Sequence, residues 1–405
     1  MTWLKNLNPT IPPSPTVERH VPVLDGLRGV ASFWVLLAHV QMLSGLPYTP
    51  ILSWGGLAVD LFMLISGFLM THQYMLRRER EPWEQPASWG KFWLRRFFRI
   101  APLYYVMLFA SLAAGAYLWN MREILGALYE PAMTLPERYL DTSVGNIFMH
   151  MSMLFGFVPH YAFRTPLPDW SIGLEMQFYF FFPFLILLCQ RIGLIAAGVL
   201  AMGACLALWA LFPTYFAAFA MPAFLPIKLY VFFIGIWVAS SRVVGSMRLP
   251  LVVAVLTCVG SYIATGYTEA IARLLMVVGF FYLFDNGTLP RIPGIDTLRA
   301  GVVRLCSARP AVFLGDTSYA VYLVHLLVLM PVAGNFALRE WYRDLGQWDR
   351  FALCFAVSTP IIYALAWALH VCVERPGIAA GRAVVQWPGF GGAVRMRRAP
   401  TDGPV

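Results

Sequence analysis

The sequence predicts an all-α, polytopic integral membrane protein with about ten transmembrane helices. Of its 405 residues, 59% are hydrophobic and only 13% are charged, whereas about a quarter of a typical soluble protein is charged. So few charges cannot cover the surface of a soluble protein of this length, and the apolar composition excludes an intrinsically disordered chain. Six cysteines are also too sparse for a secreted disulfide scaffold.

Ten apolar stretches are candidates for helices that cross the bilayer. They lie near residues 24–44, 54–74, 98–119, 170–189, 193–212, 223–240, 249–265, 271–285, 313–333 and 351–373. The stretch at 271–285 is short, so the pair at 249–285 is the weakest part of this prediction. We see no internal repeat, and we therefore expect neither a solenoid nor an inverted-repeat transporter.

The chain divides into an N-terminal segment (1–23), a transmembrane domain (24–376) and a basic tail (377–405). The N-terminal segment is polar and rich in proline and lacks the pattern of a signal peptide, so the first span is expected to be an uncleaved anchor. One long segment, about 120–169, separates the third and fourth spans. It could cap a functional site or serve as a passive connector.

The positive charges predict the orientation of these helices. With a cytoplasmic N-terminus and ten alternating spans, 21 of the 30 basic residues fall on the cytoplasmic side. The outer side receives six: Arg122, Arg138, Arg164, Arg339, Arg343 and Arg350. Because Lys and Arg collect in cytoplasmic loops, we predict that both termini are cytoplasmic. The same rule explains the net charge of +9 without a nucleic-acid partner.

The cysteines do not have the spacing of a zinc site. They are Cys189, Cys205, Cys258, Cys306, Cys354 and Cys372, all in predicted spans or on the predicted cytoplasmic side. We therefore expect no disulfides, no metal site and no tightly bound cofactor.

Ionisable residues inside predicted spans are the main functional candidates, because charge in the bilayer is costly. The set comprises Arg28, His39, Asp60, His72, Glu175, Lys228, Arg273, His325 and His370. Arg28 and His39 share the first span and lie about 16 Å apart along its axis, within about 20° of the same face. We predict that both face one cavity, with His39 nearer the outside. Asp25 is predicted to pair with Arg28 or to cap the helix start.

Four of these groups are predicted to lie at similar depth. His39, Asp60 and Glu175 fall about 7–9 Å below the outer surface, and His325 falls slightly deeper. A carboxylate beside a histidine orients the ring for general-base catalysis, so Glu175 or Asp60 is expected to orient His39. The alternative is that these are polar residues satisfied by packing.

Two arginines at the start of the third span, Arg96 and Arg99, have two interpretations. They belong to the basic run KFWLRRFFRIAPLYY. The simpler interpretation is that they mark the cytoplasmic side. The functional one is phosphate binding, since the guanidinium fork matches phosphate oxygens.

These residues lie in six blocks that resemble, in the same order, those of the acyltransferase-3 family of polytopic membrane acyltransferases. The blocks are LDGLRGVASFWVLLAHV (24–40), GGLAVDLFMLISGFLM (55–70), KFWLRRFFRIAPLYYV (91–106), DWSIGLEMQFYFFFPFL (169–185), LGDTSYAVYLVHLLVLMPV (314–332) and ERP (374–376). They span nearly the whole chain and are specific only as a set.

The resemblance implies an enzyme of the bacterial inner membrane with acyl-CoA, most often acetyl-CoA, as donor co-substrate. The implied acceptor is a carbohydrate hydroxyl on the outer face, as in O-antigen or exopolysaccharide. By position His39 and Arg28 are similar to the family's essential histidine and arginine, while Arg96 and Arg99 are similar to those serving the donor phosphates. Glu175 and Asp60 resemble its buried carboxylates. Supporting roles are expected for Asp25, Ser66, Trp170, Tyr319, His325 and Glu374.

Several alternatives remain open from the sequence. His39 could act as a general base for direct transfer, or it could carry the acyl group itself. The acceptor could be a non-glycan molecule or a small glycoside. The chain could instead be a proton-coupled transporter with His39, Asp60 and Glu175 as a relay, although no repeat supports this. The chain could also form a homo-oligomer or act with partner proteins of glycan assembly.

Overall fold

The computed structural model describes residues 20–260 and 267–387, and every regular element in these ranges is helical. The predictions for residues 1–19 and for the part of the basic tail after residue 387 lie outside the described residues. So does the segment 261–266, which includes the end of the predicted span 249–265.

The helices follow one another along the chain with mostly short connections. They are α1 (Pro22–Leu43), α2 (Gly55–Arg77), α3 (Pro86–Ala113), α4 (Gly115–Leu128), α5 (Glu137–Leu140), α6 (Val144–Met151), α7 (Trp170–Ile192), α8 (Leu194–Leu211), α9 (Pro213–Ala217), α10 (Leu225–Val244), α11 (Arg248–Gly260), α12 (Tyr267–Phe284), α13 (Ile295–Cys306), α14 (Arg309–Ala337), α15 (Glu340–Arg343), α16 (Gln347–Leu369) and α17 (Arg375–Gln386). Single 3₁₀ turns lie at Glu130–Ala132 and Phe155–Phe157, and a π-helical turn at His370–Glu374 joins α16 to α17.

Among the described residues, eight helices are long and apolar enough to cross a membrane. They are α1, α2, α3, α7, α8, α10, α14 and the continuous run Gln347–Gln386. The chain is therefore a polytopic membrane protein. The two remaining predicted spans correspond to α11 and α12, which flank the undescribed segment. A count of ten spans and cytoplasmic termini remain predictions.

The helix that carries the third predicted span, 98–119, starts before this stretch and ends before residue 119. In the structure α3 begins at Pro86, where a proline is compatible with the first helical turn. It therefore includes the basic run, and it ends at Ala113, before a separate helix α4. A hydropathy window does not count the charged turns at the start of α3 as part of an apolar span, whereas the backbone hydrogen bonds of the helix continue through them.

Glycines bring α1 and α14 into close backbone contact. A Cβ atom on Gly29 would lie 2.7 Å from Cβ of Leu314, and one on Gly315 would overlap the carbonyl oxygen of Asp25. Small residues of this kind allow membrane helices to approach closely, because there is no side chain to hold the backbones apart. The contact aligns α1 and α14, which carry His39 and His325.

The pair α2 and α10 is built in the same way. A Cβ atom on Gly67 would overlap the carbonyl oxygen of Phe232, and one on Gly235 would overlap that of Leu64. This close approach places Asp60 of α2 against Lys228 of α10. The two glycine contacts therefore set which faces of four helices turn toward one another.

We predict that Gly67→Ala lowers the thermal stability of the purified protein in detergent. Alanine gains up to about 1 kcal/mol in helix propensity, but forcing a methyl group into a packed interface costs about 1–3 kcal/mol. Thermal unfolding followed by tryptophan fluorescence measures the difference. The matched control is Gly203→Ala in α8, where a Cβ would meet nothing within 4 Å. A Gly67→Ala protein as stable as this control would contradict the packing argument.

Candidate active site

Two cavities meet inside the helical bundle. The first, called the basic cavity, is lined by Arg28, Arg96, Arg99, Glu175, Tyr179 and Tyr319 together with apolar residues, and has an empty volume of about 790 Å³. The second, called the histidine cavity, has an empty volume of about 1420 Å³ and is lined by His39 and by residues of the segment 120–169. Val59 and Tyr322 line both cavities. The prediction of a single cavity for Arg28 and His39 was therefore wrong.

Arg99 is held at the basic cavity by a buried carboxylate. Its Nη1 lies 2.6 Å from Oε1 of Glu374, whose side chain is inaccessible to solvent. The other carboxylate oxygen of Glu374 lies 2.9 Å from Nδ1 of His370, at the opposite end of the same π-helical turn. A π-helical turn is rare and often occurs at functional sites. Here the π-helical turn directs Glu374, the first residue of the ERP block (374–376), toward Arg99 of α3.

The other two arginines of this cavity lack such a partner. The guanidinium of Arg96 stacks on the rings of Phe92 and Tyr179 at 5.7 and 5.9 Å, and its buried Nε has no hydrogen-bonding partner among the described residues. Arg28 lines the cavity and likewise has no hydrogen bond within the described ranges. Unsatisfied buried guanidinium groups are costly without an anion. The basic cavity is therefore suited to an anionic ligand.

Asp25 forms no ion pair within 4 Å of Arg28, although its charge acts on Arg28 at longer range, and the predicted cap of α1 was wrong. Its Oδ2 lies 2.7 Å from Nε2 of His20 instead, and the start of α1 has no side-chain cap. Its carboxylate still lies in the first helical turn, where a negative charge is favourable.

Glu175 belongs to the basic cavity rather than to His39. Its Oε1 accepts a hydrogen bond of 2.9 Å from the Ser66 hydroxyl and another from the Tyr179 hydroxyl. No described contact joins Glu175 to His39, so the expectation that Glu175 orients His39 is not met. A similar predicted depth was not sufficient to place Glu175 beside His39, because polar groups at the same depth on different helices can face different cavities.

His39 is oriented by a second histidine. Nδ1 of His325 lies 2.8 Å from the carbonyl oxygen of Tyr322 and therefore carries the proton, which leaves Nε2 of neutral His325 as an acceptor. Nδ1 of His39 lies 3.2 Å from that Nε2 and 2.9 Å from the carbonyl oxygen of Val35. The proton of neutral His39 is thus on Nδ1. Its Nε2 is unprotonated and has no hydrogen-bonding partner in the described part of the chain.

Tyr322 forms the partition between the two cavities. Its hydroxyl donates to the carbonyl oxygen of Pro168 at 2.7 Å and therefore accepts the hydrogen bond from Ser171, also 2.7 Å long. Its ring lies 6.0 Å from the rings of Phe62 and His325. The hydroxyl and the ring of Tyr322 are thus both held in place where the two cavities meet.

Asp60 was expected beside His39 and lies elsewhere. Its carboxylate accepts hydrogen bonds of 2.7 Å from Nζ of Lys228 and from Nε of Arg273. The Asp60 and Arg273 side chains are buried at this junction of α2, α10 and α12, and that of Lys228 nearly so. This geometry fits an ion pair that holds three helices together.

The segment 120–169 lines the histidine cavity and is therefore more than a distant connector. Arg138 donates to the carbonyl oxygen of Thr165 at 3.1 Å, and its guanidinium lies 3.9 Å from the ring centroid of Phe163. Arg122, on α4, also lines the cavity. Burial lowers the pKa of Arg122 to about 10, so it remains charged at neutral pH.

The remaining predicted residues are distributed between the two cavities. Trp170 lines the histidine cavity. Tyr319 lines the basic cavity and donates to the carbonyl oxygen of Ile100 at 2.8 Å. Tyr322 and Tyr179 were missed as individual site residues. Helical spacing could have found them, because Tyr322 precedes His325 by three residues and Tyr179 follows Glu175 by four.

Comparisons with known proteins agree on one family. The profile of the acyltransferase-3 family, described as an acyltransferase domain, matches residues 21–367. An acyltransferase of Streptomyces mycarofaciens, MdmB, is 28% identical over 397 residues, which covers 89% of this chain and 92% of that protein. No solved structure matches the chain.

Two further relatives are longer proteins that the chain matches only in part. The peptidoglycan O-acetyltransferase OatA of Listeria monocytogenes is 29% identical over 170 residues, or 41% of this chain and 24% of that protein. A putative O-acetyltransferase of Staphylococcus aureus is 24% identical over 375 residues, or 85% of this chain and 56% of that protein. The chain thus spans about a quarter and about half of their lengths.

We predict that Asp60→Asn destabilises the protein by about 3–5 kcal/mol, because it leaves the positive charges of Lys228 and Arg273 without their carboxylate. Thermal unfolding in detergent and the yield of monodisperse protein measure the loss. The control is Asp344→Asn, at an exposed position. If Asp60→Asn were as stable as this control yet inactive, Asp60 would be a catalytic group and its structural assignment would be wrong.

Proposed function

Because the chain belongs to the acyltransferase-3 family, we propose that it is a membrane O-acyltransferase that moves an acyl group from acyl-CoA to a carbohydrate hydroxyl outside the cytoplasm. Acetyl is the proposed acyl group. The relatives named as O-acetyltransferases support it, and the name of the Listeria relative, a peptidoglycan O-acetyltransferase, supports a glycan acceptor. The observation that carries the proposal is the meeting of a basic cavity and a histidine cavity at Val59 and Tyr322.

The basic cavity is the proposed donor site. Coenzyme A carries phosphate groups at one end and its thiol at the end of a long, thin arm. Arg28 and Arg96 form no ion pair within 4 Å in the described ranges, although carboxylates act on Arg28 at longer range, and Arg99 is oriented by Glu374. Guanidinium groups bind phosphate through paired, charge-assisted hydrogen bonds. The phosphates would therefore stay near these arginines while the thioester reaches the partition at Tyr322.

The histidine cavity is the proposed acceptor site, with His39 as general base. Nε2 of His39 accepts the proton of the acceptor hydroxyl while the hydroxyl oxygen attacks the thioester carbonyl carbon. The tetrahedral intermediate then collapses, its C–S bond breaks, and the leaving thiolate recovers the proton from His39. His325 stabilises the imidazolium by accepting the hydrogen bond from Nδ1 of His39, which is the role a carboxylate plays in other sites of this kind.

The arrangement also supports an orientation in the membrane. Arg28 lies in the first half of α1 and His39 in its second half, so the two cavities lie at successive positions along the helix. With the basic cavity toward the cytoplasm, acyl-CoA is supplied from its own compartment and the acceptor is reached from outside. This agrees with the excess of predicted cytoplasmic Lys and Arg. The proposed location is the bacterial inner membrane, with both termini cytoplasmic.

We predict that His39→Gln reduces acyl transfer by about 10²- to 10⁴-fold, the usual contribution of a positioned general base. The assay supplies radiolabelled acetyl-CoA to membranes containing the protein and measures label in the glycan fraction. His160→Gln, at an exposed histidine of the segment 120–169, is the matched control and should retain transfer. Full transfer by His39→Gln would eliminate His39 as the base.

We predict that Arg96→Gln raises the KM for acetyl-CoA by about 10- to 100-fold, equivalent to the loss of about one charge-assisted hydrogen bond. The acceptor dependence should change little. The control is the neighbouring Arg95→Gln, since Arg95 pairs with Glu81 at 2.9 Å and does not line the basic cavity. Equal donor KM values for the two variants would place the donor phosphates elsewhere.

A further inference from the structure

We propose that the acceptor carries an anionic group, a carboxylate or a phosphate, close to the hydroxyl that is acylated, and that Arg122 binds this group. The inference rests on the proposed function, since it assumes that the acceptor occupies the histidine cavity. It narrows the acceptor from carbohydrates in general to acidic or phosphorylated ones.

Arg122 is a buried cation without an anion. Arg122 is only 4% exposed, and its buried Nε has no hydrogen-bonding partner among the described residues. The contact of its Nη2 is the sulfur of Met42 at 3.9 Å, and sulfur is a weak acceptor. The guanidinium nevertheless lines the histidine cavity. Its charge is therefore directed at a space that a ligand can fill.

The cavity itself supplies no counter-charge. Its lining includes a second cation, Arg138, and no aspartate or glutamate among the residues that the structure describes. Arg138 is committed to the carbonyl oxygens of Thr165 and Leu167, which orient it without neutralising it. Two positive charges thus face the cavity in which His39 would meet the acceptor.

Three other cations of the bundle are paired with buried carboxylates. Lys228 and Arg273 share Asp60, and Arg99 contacts Glu374. A buried charge without a partner is strongly unfavourable. The apolar surroundings in this protein make the unpaired charge of Arg122 more costly still. The unpaired arginines of the basic cavity face the proposed donor phosphates. Arg122 faces the other cavity, and by the same reasoning it requires an anion on the acceptor.

The test identifies the charge on the native acceptor. Membranes containing the full chain receive acetyl-CoA labelled in the acetyl group, and the labelled glycan is digested to its smallest labelled unit. That unit is applied to an anion exchanger at neutral pH. We expect retention. Loss of retention after methyl esterification identifies a carboxylate, and loss after phosphatase treatment identifies a phosphate. A labelled unit that passes through as a neutral sugar overturns the inference.

Kinetics of variants test the role of Arg122 itself. We expect Arg122→Gln to raise the acceptor concentration needed for half-maximal transfer by about 10- to 100-fold, with the KM for acetyl-CoA unchanged. Arg122→Lys, which keeps the charge, should recover part of this loss and guards against a folding defect. The control is Arg339→Gln at an exposed arginine outside the cavity. A fall in kcat with an unchanged acceptor requirement would make Arg122 a group that stabilises the reaction intermediate and would overturn the inference.

These outcomes separate the two proposals. If the unaltered chain transfers no label, or if His39→Gln transfers as much as the unaltered chain, the proposed function fails and the acceptor inference fails with it. If transfer depends on His39 but the labelled unit is neutral, only the inference about Arg122 fails.

Discussion

The cost of placing charge in a low-dielectric bundle organises this protein. Each buried charge needs a partner, a hydrogen-bond network or a ligand. Asp60 meets this requirement by joining Lys228 and Arg273, and through them three helices. Glu374 meets it at Arg99 and holds the last helical segment against α3. The cations that have no such partner in the described residues line cavities, and they are the groups that bear on function.

The histidine pair shows how the backbone prepares a base. The carbonyl oxygen of Tyr322 fixes the proton of His325, and this in turn fixes the proton of His39 on Nδ1. With the bond of His39 to the carbonyl oxygen of Val35, three hydrogen bonds select the tautomer in which Nε2 of His39 is unprotonated. No carboxylate is needed, which suits a membrane interior where another buried charge would be costly.

Val59 and Tyr322 lie where two cavities with different linings meet within one bundle. Tyr322 is fixed by Ser171 and by the carbonyl oxygen of Pro168, which lies in the segment that also lines the histidine cavity. A residue that lines both cavities is thus hydrogen-bonded to the segment 120–169.

Much of this protein follows from its sequence. Composition and apolar spans predicted an all-α membrane protein, and eight of the ten spans are matched by long apolar helices within the described residues. The sequence also identified four residues that line the cavities: His39, Arg28, Arg96 and Arg99. A charged residue within or beside an apolar span can be recognised from the sequence alone. The similar depth of the ionisable groups stays a prediction from the constant rise per residue of a helix.

Which side chains meet was decided only by the tertiary structure. The sequence analysis grouped His39 with Glu175 and Asp60 by predicted depth. In the structure His39 contacts His325 instead, while Glu175 accepts a hydrogen bond from Ser66 and Asp60 accepts one from Lys228. Depth is a property of each helix alone. Rotation about the helix axis depends on contacts between helices distant in the chain, here the glycine contacts of α1 with α14 and of α2 with α10. Those contacts direct two polar groups at the same depth into different cavities.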